Sequence, residues 1–192
     1  NSCRFNDNDS AHLVKTGIGS PTNSKRFTCS VWMKRANITG DGEYMFGGIN
    51  SPDRSHFFIN ASHQLAFQGE YGGATPVVVT STALFRDPHA WYHFVCIYDA
   101  DNATQGDRVK LFANGVRITE FATETIPGST GQEVDLIQSG NDLYIGRHAA
   151  STTVANHLDG YLSQHILIDG LALGPDSFAE FDNNQVWRPL DI

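Results

Sequence analysis

Residues 87–115, reading DPHAWYHFVCIYDADNATQGDRVKLFANG, limit what this chain can fold into more than any other stretch. Two dense strand patterns occupy 90–100 and 108–113. Asn114-Gly115 follows at once, the strongest two-residue hairpin signal, because both central positions of a type I′ turn need positive φ. Trp91, Tyr92, Phe94, Val95, Ile97 and Tyr98 crowd one run with aromatic and β-branched side chains, which suit a pleated, half-buried surface. A two-sheet core with this hairpin inside it is the natural host.

The rest of the chain keeps the same rhythm. After a polar, irregular start over 1–10, residues 11–16 read as a short first strand and 17–25 as a loop. Residues 27–35 alternate, with Phe27, Cys29, Val31 and Met33 on one face and Thr28, Ser30, Trp32 and Lys34 on the other. Beyond a turn region at 36–42, strands at 43–47, 56–61, 64–71 and 77–84 are separated by linkers of Gly, Ser, Pro and Asn. Residues 119–141 form a long polar connection with a candidate strand at 133–137, and strands follow at 142–147 and 158–169. The last of these is apolar on both alternating sets, which implies cover by another subunit or by the terminal segment. One helical signal, a Pro and acidic residues opening 174–181, marks a turn or two of helix. The fold class that follows is all-β: an antiparallel two-sheet jelly-roll sandwich, one domain over 1–192, with one short helix near the C-terminus. A chain starting at Asn1 reads as an excised or processed piece of a longer one.

Composition removes several classes of partner. Acidic residues outnumber basic ones, 21 to 13, for a formal net charge of −8, the wrong balance for a phosphate backbone, so no nucleic-acid partner is expected. No apolar run is long enough to predict a membrane span. Cys3, Cys29 and Cys96 lack metal-site spacing, and buried, reduced thiols are the expected state of the latter two. Asn37-Ile-Thr, Asn60-Ala-Ser and Asn102-Ala-Thr are glycosylation sequons, meaningful only on a eukaryotic secretory route.

Four pieces in fixed order carry a resemblance: Phe27-Thr28-x-Ser30-x-Trp32-x-Lys34; Trp91-x-His93 with Asp99; Val109-Lys110-Leu111-Phe112-x-Asn114-Gly115; and Asp159-Gly160-Tyr161-Leu162. Together they resemble the laminin-G-like, or concanavalin A-like, jelly roll that pentraxins and legume lectins share. The tail, with Ile168-Asp169-Gly170, Ser177-Phe178-x-Glu180-Phe181-Asp182 and Val186-Trp187-x-Pro189, resembles the variant found in bacteriophage virion proteins. The resemblance implies two curved antiparallel sheets and residence on a virion, or otherwise outside cells. It implies a carbohydrate-binding role, with a polysaccharide or host surface glycan and other virion proteins as partners, or a purely structural role in which the domain cements or trimerises the particle. A secreted lectin-like adhesion domain is a third reading.

The family also contains enzymes. Its glycosidases carry Glu-x-Asp-x-x-Glu on one strand, so that acid and nucleophile share a face. The nearest match here is Glu133-Val134-Asp135, where Gln138 stands in place of the last carboxylate. The family's lyases use Gln, His, Arg and Tyr on neighbouring strands, whereas Gln164-His165 are adjacent and would face opposite sides. The expected activity is therefore binding without catalysis.

Trp91, His93 and Trp32 read first as structural residues. Pentraxins pair a Cys after Phe-Thr-x with one in Trp-x-x-x-Cys. Here the first lies one residue early and the second one late, so both have changed face together. Jelly rolls of this kind often carry one Ca²⁺, and Asp7, Asp9 and Asp159 occupy comparable places, though each is also an ordinary loop carboxylate. A glycan site wants an aromatic face beside planar polar groups. Tyr44, Asn50, Asp53, Arg54, His56, Glu70 and Tyr71 supply that mixture, with a solvated loop rim as the plainer reading.

Overall fold

The computed structural model describes residues 1–38, 42–150 and 156–191. The expected turn at 36–42 therefore lies partly outside the described residues. The strands in chain order are β1 (Cys3–Phe5), β2 (Leu13–Lys15), β3 (Arg26–Arg35), β4 (Glu43–Asn50), β5 (Asp53–Ile59), β6 (Gln64–Tyr71), β7 (Ala74–Leu84) and β8 (Tyr92–Asp99). They continue with β9 (Val109–Ala113), β10 (Val116–Arg117), β11 (Phe121–Thr125), β12 (Asp142–Ile145), β13 (Gly160–Asp169), β14 (Ala179–Phe181) and β15 (Trp187–Pro189).

Two antiparallel sheets face one another. One has six strands in the order β1-β13-β3-β8-β9-β10, the other seven in the order β11-β7-β6-β5-β4-β12-β2. Phe27, Cys29, Val31 and Met33 of β3 all point into the space between them, as their alternation demands. They meet Phe94, Cys96 and Tyr98 from β8 and Phe57, Ile59, Leu65 and Phe67 from the opposite sheet. The hairpin expected in 87–115 forms as β8 and β9, and the chain then turns at Asn114 (φ 49°) and Gly115 (φ 81°) into β10.

A second apolar layer lies outside the six-stranded sheet. Val95 and Ile97 of β8, with Ile166 and Ile168 of β13, are covered by Phe178 and Leu173 from the C-terminal segment. That cover accounts for the double-faced apolar pattern of 158–169. A bulge completes the explanation: Ser163 pairs with Trp32, but Ile166 pairs with Ser30, so Gln164 (φ 42°) and His165 together oppose Val31, one residue more than regular pairing holds. Leu162 and Leu167 thereby both face the main core although an even spacing would place them on opposite faces.

Four expectations are corrected. The helix over 174–181 is one 3₁₀ turn, Pro175–Ser177, and Ala179–Phe181 is a strand paired with β15. The polar connection holds β11, an edge strand that buries almost nothing and so carries no apolar signal. Residues 3–5 are a strand as well, with only Phe5 buried. No strand forms at 133–137. Val134, Leu136 and Ile137 instead plug one end of the core against glycines: a Cβ on Gly48 would meet the Asp135 carbonyl at 2.6 Å, and one on Gly69 would meet Val134 at 2.5 Å.

Candidate functional site

Register decides which candidates converge. Ser55, Phe57 and Ile59 of β5 are buried towards the core, so Arg54, His56 and Phe58 face outward. Across the ladders, Tyr44 pairs with Phe58, Gly47 with His56 and His56 with Gln68. Four candidates, Tyr44, Arg54, His56 and Glu70, therefore share the outer face of the seven-stranded sheet, drawn from three adjacent strands.

Aromatic and polar groups divide this face. The Tyr44 and Phe58 rings stack at 4.9 Å and 6°. About 13 Å along β5, four residues at ~3.3 Å each, Arg54 sits over Glu70. The guanidinium Nε lies 3.7 Å from Glu70 Oε1, which also accepts from Gln68 Nε2 at 3.0 Å, while Glu70 Oε2 accepts the Arg54 N–H at 3.2 Å. Arg54 keeps 40% of its side chain exposed.

His56 departs from expectation. It is 2% exposed, roofed by the turn at His148, and its Nε2 accepts the Ala149 N–H at 3.1 Å. The two imidazoles stack at 4.1 Å, and His148 Nδ1 accepts the Ala150 N–H at 3.1 Å. Burial first, then each other's charge and that of Arg54, holds the His56 imidazole well below its ordinary pKa. Burial brings His148 down to about 4. Both rings are neutral acceptors. The ring that meets solvent between Tyr44 and Arg54 is thus His148, which packs edge-on to Tyr44 at 4.9 Å.

The remaining candidates gather at the end of the sheet, not on its face. Asn50, Asp53 and Tyr71 line a polar hollow of about 410 Å³ with Gly72, Asp135 and Gln138. Asp53 is used structurally, both carboxylate oxygens accepting the Gly73 N–H at 2.9 and 3.0 Å. Hydrogen bonding to Glu133 pushes the Tyr71 phenol up. Burial, with Asp53 nearby, raises Asp135 to about 6.

The calcium set does not assemble. Asp159 binds the Arg4 guanidinium at 2.6 Å and accepts from the Asn37 amide. Asp7 accepts the Asn8 N–H at 2.7 Å, and Asp9 accepts from Asn6 Nδ2 at 2.7 Å. Among the described residues no three His, Cys, Asp or Glu side chains form a metal-sized group. A guanidinium already holds the cation position at Asp159, so these three carboxylates do not fit a shared Ca²⁺ site.

The enzyme-like pairs are equally dispersed. Glu133 and Asp135 lie on an irregular segment. Gln164 donates to the Leu190 carbonyl at 2.7 Å, while His165 crosses the core to the Met45 carbonyl at 2.9 Å and stacks on Phe46 at 3.7 Å. Phe58, Gln68 and His148 belong to the face but were not among the candidates. The β5 and β6 alternation points to the first two, whereas nothing local marks His148, which arrives from a distant turn.

An all-antiparallel two-sheet sandwich with an open outer face defines the class of jelly-roll domains. Residues 7–171 match the model of the concanavalin A-like lectin/glucanases superfamily, and the chain belongs to that family. Among curated protein sequences none matches it significantly. Solved structures with the same fold include domains LG4-5 of the mouse laminin alpha1 chain, at 14% identity and TM-score 0.61, covering 90% of this chain and 45% of that one. The native heptameric SAP-like pentraxin from Limulus polyphemus shows 14% identity and TM-score 0.54, covering 81% and 68%. The CBM40 of Ruminococcus gnavus IT-sialidase, bound to alpha2,3 sialyllactose, shows 16% identity and TM-score 0.56, covering 86% and 95%. At these identities the likeness is one of fold. No helix among the described residues is long and apolar enough to cross a membrane.

Proposed function

We propose that this domain is a non-catalytic carbohydrate-binding module whose glycan lies across the outer face of the seven-stranded sheet. The observation that carries the reading is the stacked Tyr44–Phe58 pair lying on one open face with the Arg54–Glu70–Gln68 array. Aromatic faces take the C–H side of a sugar ring, and a guanidinium, a carboxylate and an amide take its hydroxyls in pairs. The fold's occurrence in a sialyllactose-bound module supports the same direction. The proposal places the domain on a phage particle, as a tail, fibre or capsid-decoration module attaching to a host or environmental polysaccharide. That part rests on the tail motif, which builds the β14–β15 hairpin.

A glycan array probed with the domain, with Tyr44→Ala and with Arg54→Ala tests the reading. Binding that each substitution weakens at least tenfold is expected, without release of reducing ends. Absence of binding to every glycan would overturn it.

One observation favours the structural reading. Edge strand β2 exposes Leu13 and Val14, at 54% and 49%, beside an apolar hollow. Exposed apolar edges invite a second chain. Stable trimers in light scattering, together with a blank array, would make the domain a particle cement.

A further inference from the structure

The opposite sheet carries a second concavity, unrelated to the face above. Across the six-stranded sheet the register sets Ser163, Trp32 and His93 side by side. His93 stacks on Trp32 at 4.9 Å and 17°, which fixes the plane of that indole. Trp91, just ahead of β8, stays 38% exposed. Between Trp32 and Trp91 the chain leaves a hollow of about 320 Å³, walled further by Asn1, Ser2, Ser163 and Pro189. That volume falls at the small end of ligand pockets, which run from roughly 300 to 1,000 Å³.

The chemistry of the wall is selective. Two indoles and a proline ring offer flat apolar surface, and two hydroxyls and an amide offer donors and acceptors. Among the described residues no charged side chain lines it. Trp32 itself is 8% exposed, and its indole N–H is fully buried with no acceptor among the described residues. Ser163, meanwhile, donates to the Asn1 carbonyl at 2.7 Å, which leaves its oxygen free to accept. The occupant that fits is flat and apolar on one side, hydroxylated at its rim and uncharged.

We propose that this slot is a second carbohydrate subsite, taking one neutral pyranose residue stacked on Trp91, with a ring hydroxyl donating to Ser163 Oγ. It does not depend on the front face, and a domain holding both sites would bind a polymer from two sides. The test is NMR on the whole domain with methyl β-galactopyranoside, methyl α-glucopyranoside and methyl α-mannopyranoside at millimolar concentration. At least one pyranoside should receive saturation from the protein and move the Trp32 indole N–H resonance, identified by its loss in Trp32→Phe. Trp91→Ala should abolish the shift of the Trp32 indole N–H, and Ser163→Ala should weaken the binding it reports about fivefold, as loss of one hydrogen bond does. Amide spectra establish that each variant is folded. A Trp32 indole shift that survives Trp91→Ala, or indole resonances unmoved by all three sugars, would each overturn the subsite. Loss of front-face array binding with the slot intact would instead concern the proposed function alone.

Discussion

The indole Nε1–H of Trp187 donates to His93 Nδ1 at 3.1 Å, tying the C-terminal hairpin to the middle of the six-stranded sheet. An indole can only donate, so Nδ1 is the acceptor and the imidazole proton sits on Nε2, facing Ser30 Oγ at 2.9 Å. The Trp-x-His histidine is thus held neutral on both sides. Trp187→Phe leaves the buried Nδ1 without its partner. It should destabilise the domain by about 1–3 kcal/mol in urea unfolding.

Stability should rise with pH between about 4 and 6.5. Burial lowers His93, His148 and His165 to about 4 and His56 well below its usual value of 6.5. In that window the unfolded chain takes protons that the folded one refuses. The stability these residues contribute above 6.5 is therefore lost as pH falls towards 4. Burial also raises Glu43 to about 7 and Asp135 to about 6, and their contribution runs the other way, lost as pH climbs through those values. Four imidazoles outweigh two carboxylates. Urea unfolding at a series of pH values checks the slope, which His165→Gln should make shallower.

Glu43→Ala should be among the most damaging single changes. Arg35 is 1% exposed and Glu43 2%, and the carboxylate lies 3.5 Å from Arg35 Nη2 while accepting the Asp159 N–H at 2.8 Å. Removing it leaves a buried guanidinium whose remaining acceptors among the described residues, the Phe85 carbonyl and His63, are neutral. A loss of about 3–5 kcal/mol is expected by denaturant titration.

The thiols should separate cleanly. Cys3 is exposed, whereas Cys29 and Cys96 are buried, and they lie opposite one another in the β3–β8 register as free thiols. Burial pushes both of their pKa values up. A disulfide-exchange reagent should titrate one thiol in the native domain and three in denaturant. A count of one in both conditions would mean that Cys29 and Cys96 had oxidised together.

Gly48→Ala should loosen the core plug. Its new Cβ would press on the Asp135 carbonyl at 2.6 Å, and backbone cannot swing away as a side chain can. Overpacking of this kind costs about 1–3 kcal/mol. Amides of residues 133–138 should exchange hydrogen faster in the variant.

Much of the sandwich was legible because its central strands alternate without interruption. β3 commits Phe27, Cys29, Val31 and Met33 to one side, and every one of them is buried. Legibility failed where burial was slight, as at β1 and β11, and where apolar residues fill space without pairing, as at Val134 and Leu136. The site divided along the same line. Strand parity puts Tyr44, Arg54 and Glu70 on one face, but His148 reaches that face through tertiary folding and roofs His56, which no local pattern announces.

The bulge at Gln164 and His165 acts on β13 as a change of phase acts on a wave. Before it, inward positions are even-numbered; after it, odd-numbered, and that offset lets one strand contribute to the main core and to the layer under Phe178. If the same residues paired in strict alternation, with no bulge, the even-numbered parity would run on to the end of the strand. Ile166 and Ile168 would rotate towards the main core, Leu167 would turn outward, and the C-terminal segment would lose the surface on which it rests.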